Sequence, residues 1–144
     1  MAKTYKANFS AEGVSVKVPQ QAQKIRAKKL PQLSLNQMKG VPGGFNPWRV
    51  VINFALYEEG KPDVFLTEFS QPFELRVRYT NQDEKRASKE GKQLSLAFWD
   101  GGQWIRFTKE KHQFSLQPDF TPNTGGYGVV KISRWGDPHV AWGD

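Results

Sequence analysis

The chain has 144 residues, the length of one domain, and its 38% apolar and 13% aromatic content excludes a disordered segment and supports a single packed core. Its 21 Lys and Arg against 14 Asp and Glu give a formal charge of +7, which favours anionic partners, while the lack of cysteine excludes disulfides, thiolate metal sites and cysteine nucleophiles. No apolar run approaches the roughly 18 to 20 residues of a membrane-spanning helix, so no membrane insertion is expected.

The opening MAKTYKANFSAEG lacks the apolar segment of a signal peptide. Two locations stay open: cytoplasmic, or extracellular if the chain is a domain cut from a longer protein. Val14, Val16 and Val18 alternate with Ser15 and Lys17 and stop at Pro19, the pattern of a short edge strand. From 20 to 46 the alternation dissolves into a basic Pro/Gly-containing loop, broken by Pro31, Pro42 and Gly43-Gly44, with room for a helical turn or two in its first part.

Trp48 to Glu58 resumes strict alternation, placing Val50, Ile52, Phe54 and Leu56 on one face. After a turn at Gly60 a short strand over 64–69 is expected before Pro72. Residues 73–79 then bury Phe73, Leu75, Val77 and Tyr79 and turn Glu74, Arg76 and Arg78 outward. Residues 81–92 carry no large apolar side chain and read as a solvent-facing loop or one weak helical turn.

The clearest signal is QLSLAFWDGGQWIRFT, residues 93–108, two alternating strands joined by Asp100-Gly101-Gly102, which suits a tight turn. An even-length turn pairs Trp99 with Trp104, Phe98 with Ile105, Ala97 with Arg106 and Leu96 with Phe107. Leu94, Leu96, Phe98, Ile105 and Phe107 then share one face, and both tryptophans take the other. That second face is either open to solvent or covered, with the tail from Trp135 to Trp142 as the candidate cover. Short strands at 113–117 and 127–134 follow, with a further edge strand around Val140. Seven to eight antiparallel strands in one domain, 1–144, describe an all-β sandwich or a small barrel, of which the sandwich is the expected fold.

Catalytic chemistry has little to work with. His112 and His139 lie in separate segments without a second ligand at metal spacing, and Gly125-Gly126-Tyr127-Gly128 enters a strand rather than the helix a phosphate loop requires. Loop carboxylates Asp100, Asp119 and Asp137 are of the kind calcium uses and equally of the kind turns use. The expectation is a non-catalytic module without cofactor or metal.

Two surfaces are candidate sites. An aromatic one comprises Trp99, Trp104, Arg106, Trp135 and Trp142, suited to carbohydrate or protein; against it stands the ordinary role of cross-strand aromatic pairs in stabilising hairpins. A basic one comprises Lys24, Arg26, Lys28 and Lys29, with Arg76, Arg78 and 85–92 as further cations, and would hold anions or nucleic acid. Asp83, Glu84 and Glu90 interrupt the second cluster, so a solvated face is its simpler reading.

Four pieces in order, GVSVKVP, the strand ending FSQPFELRVRY, LAFWDGGQW and GYGVVKIS, resemble the Ig-like β-sandwich domains, related in pattern to ZU5-type domains, of bacterial surface and multidomain proteins. The resemblance covers roughly residues 13–134. It implies a structural or interaction module whose partners are proteins or the flanking domains of a longer chain. Some ZU5 relatives cleave themselves at a His-Phe-Ser sequence; His112-Gln113-Phe114-Ser115 carries an extra glutamine, so self-cleavage is not implied here.

Overall fold

A computed structural model describes residues 4–19, 24–38, 45–89, 91–100, 103–118, 125–135 and 139–144. The described residues form two antiparallel sheets of five strands each. The first sheet takes β1 (Thr4–Phe9), β2 (Val14–Pro19), β5 (Glu68–Tyr79), β9 (Gly126–Arg134) and β8 (Ser115–Pro118), in that spatial order. The second takes β3 (Ile25–Lys29), β4 (Pro47–Glu58), β10 (His139–Gly143), β6 (Ser95–Trp99) and β7 (Trp104–Arg106). An all-β sandwich is therefore present, with ten strands in place of the seven to eight expected.

The core lies between the sheets. Val14, Val16 and Val18 of β2 and Phe73, Leu75, Val77 and Tyr79 of β5 meet Ile52, Phe54 and Leu56 of β4, Leu96 of β6 and Val140 and Trp142 of β10. Two indoles fasten one sheet to the other: Trp142 Nε1 donates to the Arg78 carbonyl at 2.9 Å, and Trp135 Nε1 donates to the Phe54 carbonyl at 3.1 Å. Trp135 also stacks on Phe54, with ring centroids 4.9 Å apart, and meets Phe73 edge-on. Each indole N–H is buried, so such a partner is required of it.

The hairpin has the expected register, Trp99 opposite Trp104, Phe98 opposite Ile105 and Ala97 opposite Arg106. Asp100 and Gln103 close its turn, Asp100 N–H donating to the Gln103 carbonyl and Gln103 N–H to Asp100 Oδ1.

Several expectations are corrected. The stretch 20–46 holds a strand, β3, and a 3-10 turn at Leu35–Met38. β2 is not an edge: β1, whose Tyr5, Ala7 and Phe9 pack against the core, covers it. The expected strand at 64–69 is absent except for an isolated bridge of Phe65 to Tyr57 and for residues 68–69, which begin β5; β5 runs on through 73–79 with an irregularity between Glu68 and Phe73, around Pro72, which has no N–H to offer a ladder. β10 is no edge strand either; it is paired on both sides, with β4 and β6, and all five of its residues are buried.

The alternation of β4 also breaks. Val140 pairs with Ile52 and Ala141 with Val50, leaving Val51 as an extra residue. This bulge shifts the phase by one, so Val50 packs on the outer side of the second sheet while Ile52, Phe54 and Leu56 stay inside.

Residues 81–89 form a helix, α1 (Asn81–Lys89). Thr80 Oγ1 accepts from Asp83 N–H at 3.2 Å while the Asp83 carboxylate accepts from Thr80 N–H at 2.8 Å, a reciprocal cap that satisfies two donors at the helix start. Asp83 further accepts from Trp48 Nε1 at 3.0 Å and pairs with Arg49, fixing α1 to β4.

Candidate functional site

The outer face of the first sheet is polar, and strand register arranges it in rows. Lys6, Lys17, Glu74 and Lys131 are successive partners across β1, β2, β5 and β9. Asn8, Ser15, Arg76, Val129 and Ser115 form the next row, and Arg78, Tyr127 and Gln117 the third. Apart from Val129, which is itself buried, these positions alternate with the buried residues of the same strands, so they point away from the core. Within the three rows five cations, Lys6, Lys17, Arg76, Arg78 and Lys131, face a single carboxylate, Glu74, which lies 3.5 Å from Lys131.

A cleft of about 430 Å³ opens on this face between β1, the turn into β2, and β5. Lys6, Arg76 and Arg78 give it charge. Asn8, Ser10 and Ser15 give it neutral hydrogen-bonding groups, and no carboxylate lines it among the described residues. Tyr127 closes one side, and the guanidinium carbons of Arg76 and Arg78 lie 5.0 and 5.9 Å from its ring centroid. The ring thus orients both guanidiniums. Arg76 Nη2 reaches Gln117 Oε1 at 3.4 Å, while Arg76 Nε is buried without a hydrogen-bond partner.

Gly13 shapes the cleft. Its carbonyl accepts from Arg78 N–H at 2.8 Å, its φ is +70°, and a Cβ there would stand 2.8 Å from Arg78 Cβ. Only glycine lets the turn lie so close against β5 in that conformation.

The four cations named from sequence sit on β3 and in the residue before it, at the edge of the other sheet. Each has a carboxylate at hand: Lys24 and Arg26 meet Glu59 at 4.0 and 3.0 Å, Lys28 meets Asp63 at 4.0 Å, and Lys29 pairs with Glu12. Such pairing leaves little net field for an anion. The structure does not bring these four together with Arg76 and Arg78, which lie on the first sheet.

The aromatic candidates are engaged in packing. Trp104 is 7% exposed, Trp135 3% and Trp142 fully buried, while Trp99 is half-buried. Trp99 and Trp104 do share the hairpin's non-core face, with centroids 5.3 Å apart, yet their cover is not the C-terminal tail. Met38 and Phe45, from the segment after β3, lie over them; Trp104 Nε1 donates to the Met38 carbonyl at 2.7 Å. Arg106 Nη2 donates to the Asp144 carbonyl at 2.8 Å and its guanidinium lies over Phe45.

Both histidines serve the fold. His139 Nε2 accepts from Leu33 N–H at 2.8 Å and His112 Nδ1 accepts from Thr108 N–H at 3.1 Å. Burial, with the Lys111 charge second, holds His112 below the ordinary imidazole value. Asp100 serves the hairpin turn, and Asp119 and Asp137 lie outside the described residues.

Sequence reasoning turned Arg76 and Arg78 outward but missed their neighbours. Lys6, Asn8 and Ser10 belong to a strand it did not recognise and to the turn after it. The available signal was the alternation of Tyr5, Ala7 and Phe9, which puts Lys6 and Asn8 on the opposite face. No family model, curated protein or solved structure matches this chain.

Proposed function

We propose that the protein is a non-catalytic interaction module that holds an anionic partner against the outer face of its first sheet. One observation carries this reading: the register that sets Lys6, Lys17, Arg76, Arg78 and Lys131 on one face with a single carboxylate among them. A face of one sign attracts a partner of the other sign and sets its orientation on approach. The edge of the opposite sheet offers no equivalent among the described residues, since Lys24, Arg26, Lys28 and Lys29 each lie within 4.0 Å of a carboxylate, Glu59 serving two of them. Kinship with the Ig-like and ZU5-like modules of multidomain proteins belongs to the same proposal, supported by the two antiparallel sheets and the LAFWDGGQW hairpin.

The test is binding to poly-glutamate at low and moderate salt. Lys17→Glu with Lys131→Glu should abolish the interaction, and Lys24→Glu with Lys28→Glu should leave most of it. Equal losses in the two double variants would show that net charge alone, and not this face, is responsible.

A further inference from the structure

We infer that the cleft beside the β1–β2 turn is a receptor for one phosphoryl monoester, carried on a partner polypeptide. The inference rests on the reading of the first sheet as an anion-binding face and adds a discrete site to it.

Three features separate the cleft from the general charge of the face. The first is its donors. Arg76 and Arg78 are two residues apart on one strand, so their side chains leave the same face roughly 6 to 7 Å apart. Lys6 adds a third charge, and Ser10, Ser15 and Asn8 add neutral donors. Three cations and several hydroxyl or amide groups around one space match a dianion with three free oxygens better than they match a single carboxylate.

The second feature is the orphaned Arg76 Nε, a buried guanidinium donor with no acceptor. Nε itself is closed off from the cleft, but its unmet donor and the long 3.4 Å bond from Nη2 to Gln117 show how little of the guanidinium the fold uses, which leaves its outer N–H groups to a ligand. The third is preorganisation. Tyr127 holds both guanidiniums from one side and the Gly13 carbonyl holds the Arg78 backbone, so the forks are placed before the ligand arrives.

The same geometry argues against a nucleotide. A base would need an aromatic or apolar slot, and Tyr127, the one aromatic ring lining the cleft among the described residues, already carries the two guanidiniums. A phosphorylated side chain needs no such slot, and the cleft has room for the group and the residue that bears it.

Fluorescence anisotropy of the full chain with a labelled Gly/Ala/Ser peptide containing one phosphoserine tests this. The phosphopeptide should bind at least about tenfold more tightly than the unphosphorylated or glutamate-substituted peptide, the scale set by a charge-assisted hydrogen bond or two. Arg76→Gln should remove that advantage, with near-UV circular dichroism confirming the fold, and Ser15→Ala should reduce it. Lys131→Gln, outside the cleft, should change it less than about twofold. Binding of the phosphopeptide should weaken from pH 7.5 to 5, because the second phosphate proton returns near pH 6.

No preference for the phosphorylated peptide would overturn the inference, as would equal effects of Arg76→Gln and Lys131→Gln. AMP or inorganic phosphate binding as tightly as the phosphopeptide would overturn the polypeptide source. Retained, face-dependent poly-glutamate binding in any of these cases would leave the anionic-face reading standing, so the two failures are distinct.

Discussion

Asp83→Asn is the sharpest test of how the fold is tied together. The carboxylate is buried, and its Oδ2 accepts from Thr80 N–H at 2.8 Å, from Thr80 Oγ1 at 3.1 Å and from Arg49, while Oδ1 accepts from Trp48 at 3.0 Å. Asparagine keeps the volume but replaces one acceptor by an NH2 group. Whichever way the amide turns, that NH2 confronts N–H donors.

Losing a charge-assisted bond costs about 1.5–3 kcal/mol, and weakening the α1 cap adds about 1 kcal/mol. A total near 3 kcal/mol at pH 7 should lower the urea midpoint by roughly 1–2 M. The pH dependence gives a second check. Burial pushes the Asp83 carboxyl up, but hydrogen bonds from Arg49, the Thr80 backbone and Trp48 outweigh it, so the net displacement is downward.

A folded-state value below the unfolded one means that the stabilisation is complete above about pH 4. It is lost as the pH falls through the depressed value. The gap between wild type and Asp83→Asn in urea titrations should therefore close in strong acid. A gap under about 1 kcal/mol at pH 7, or one that persists unchanged in acid, would refute this account of the network.

Gly128→Ala should cost about 1–3 kcal/mol by overpacking, because its Cβ would stand 2.6 Å from Trp142 Cη2; Trp142→Phe in the same chain should recover part of that loss, and strict additivity in thermal unfolding would deny the contact. In Trp104→Phe, the emission lost relative to wild type should be blue and insensitive to iodide, as expected for a ring under Met38 and Phe45; strong quenching of that component would mean an open pair. His112, held below the ordinary imidazole value by burial and then by Lys111, resists a proton that the unfolded chain accepts, so stability should fall as pH drops below about 6.5. His112→Gln should flatten that slope, and equal slopes would assign it to another group.

The parts legible in the sequence were those governed by local rules. The hairpin followed from one turn and period-2 alternation, and the inward faces of β2 and β5 followed from alternation alone. The parts missed were set by distant partners. IRAKK of β3 has only Ile25 to bury, because an edge strand can carry lysine along most of its length. HVAWG of β10 is too short for a period, and burial on both faces erases alternation in any case. The bulge at Val51 leaves no mark in a sequence where Val50 and Val51 are both apolar. The cap of α1 was legible as Thr80-x-x-Asp83, but a helix with almost no apolar stripe draws no attention from periodicity. The cleft needed β1, and so it could not be assembled before β1 was placed.

The position of β10 bears on how the protein can be made. Nine strands precede it, yet β4 and β6 are joined only through it. During synthesis the second sheet therefore exists as two halves, β3–β4 and the β6–β7 hairpin, each with a bare edge waiting for residues 139–143 to leave the ribosome. The first sheet, whose last strand is β9, can be complete earlier. Closure is thus a late event that joins segments separated by most of the chain, a slow class of step that exposes unpaired strands in the interval. A chain arrested before residues 139–143 emerge should therefore hold chaperones longer than one arrested after they have emerged.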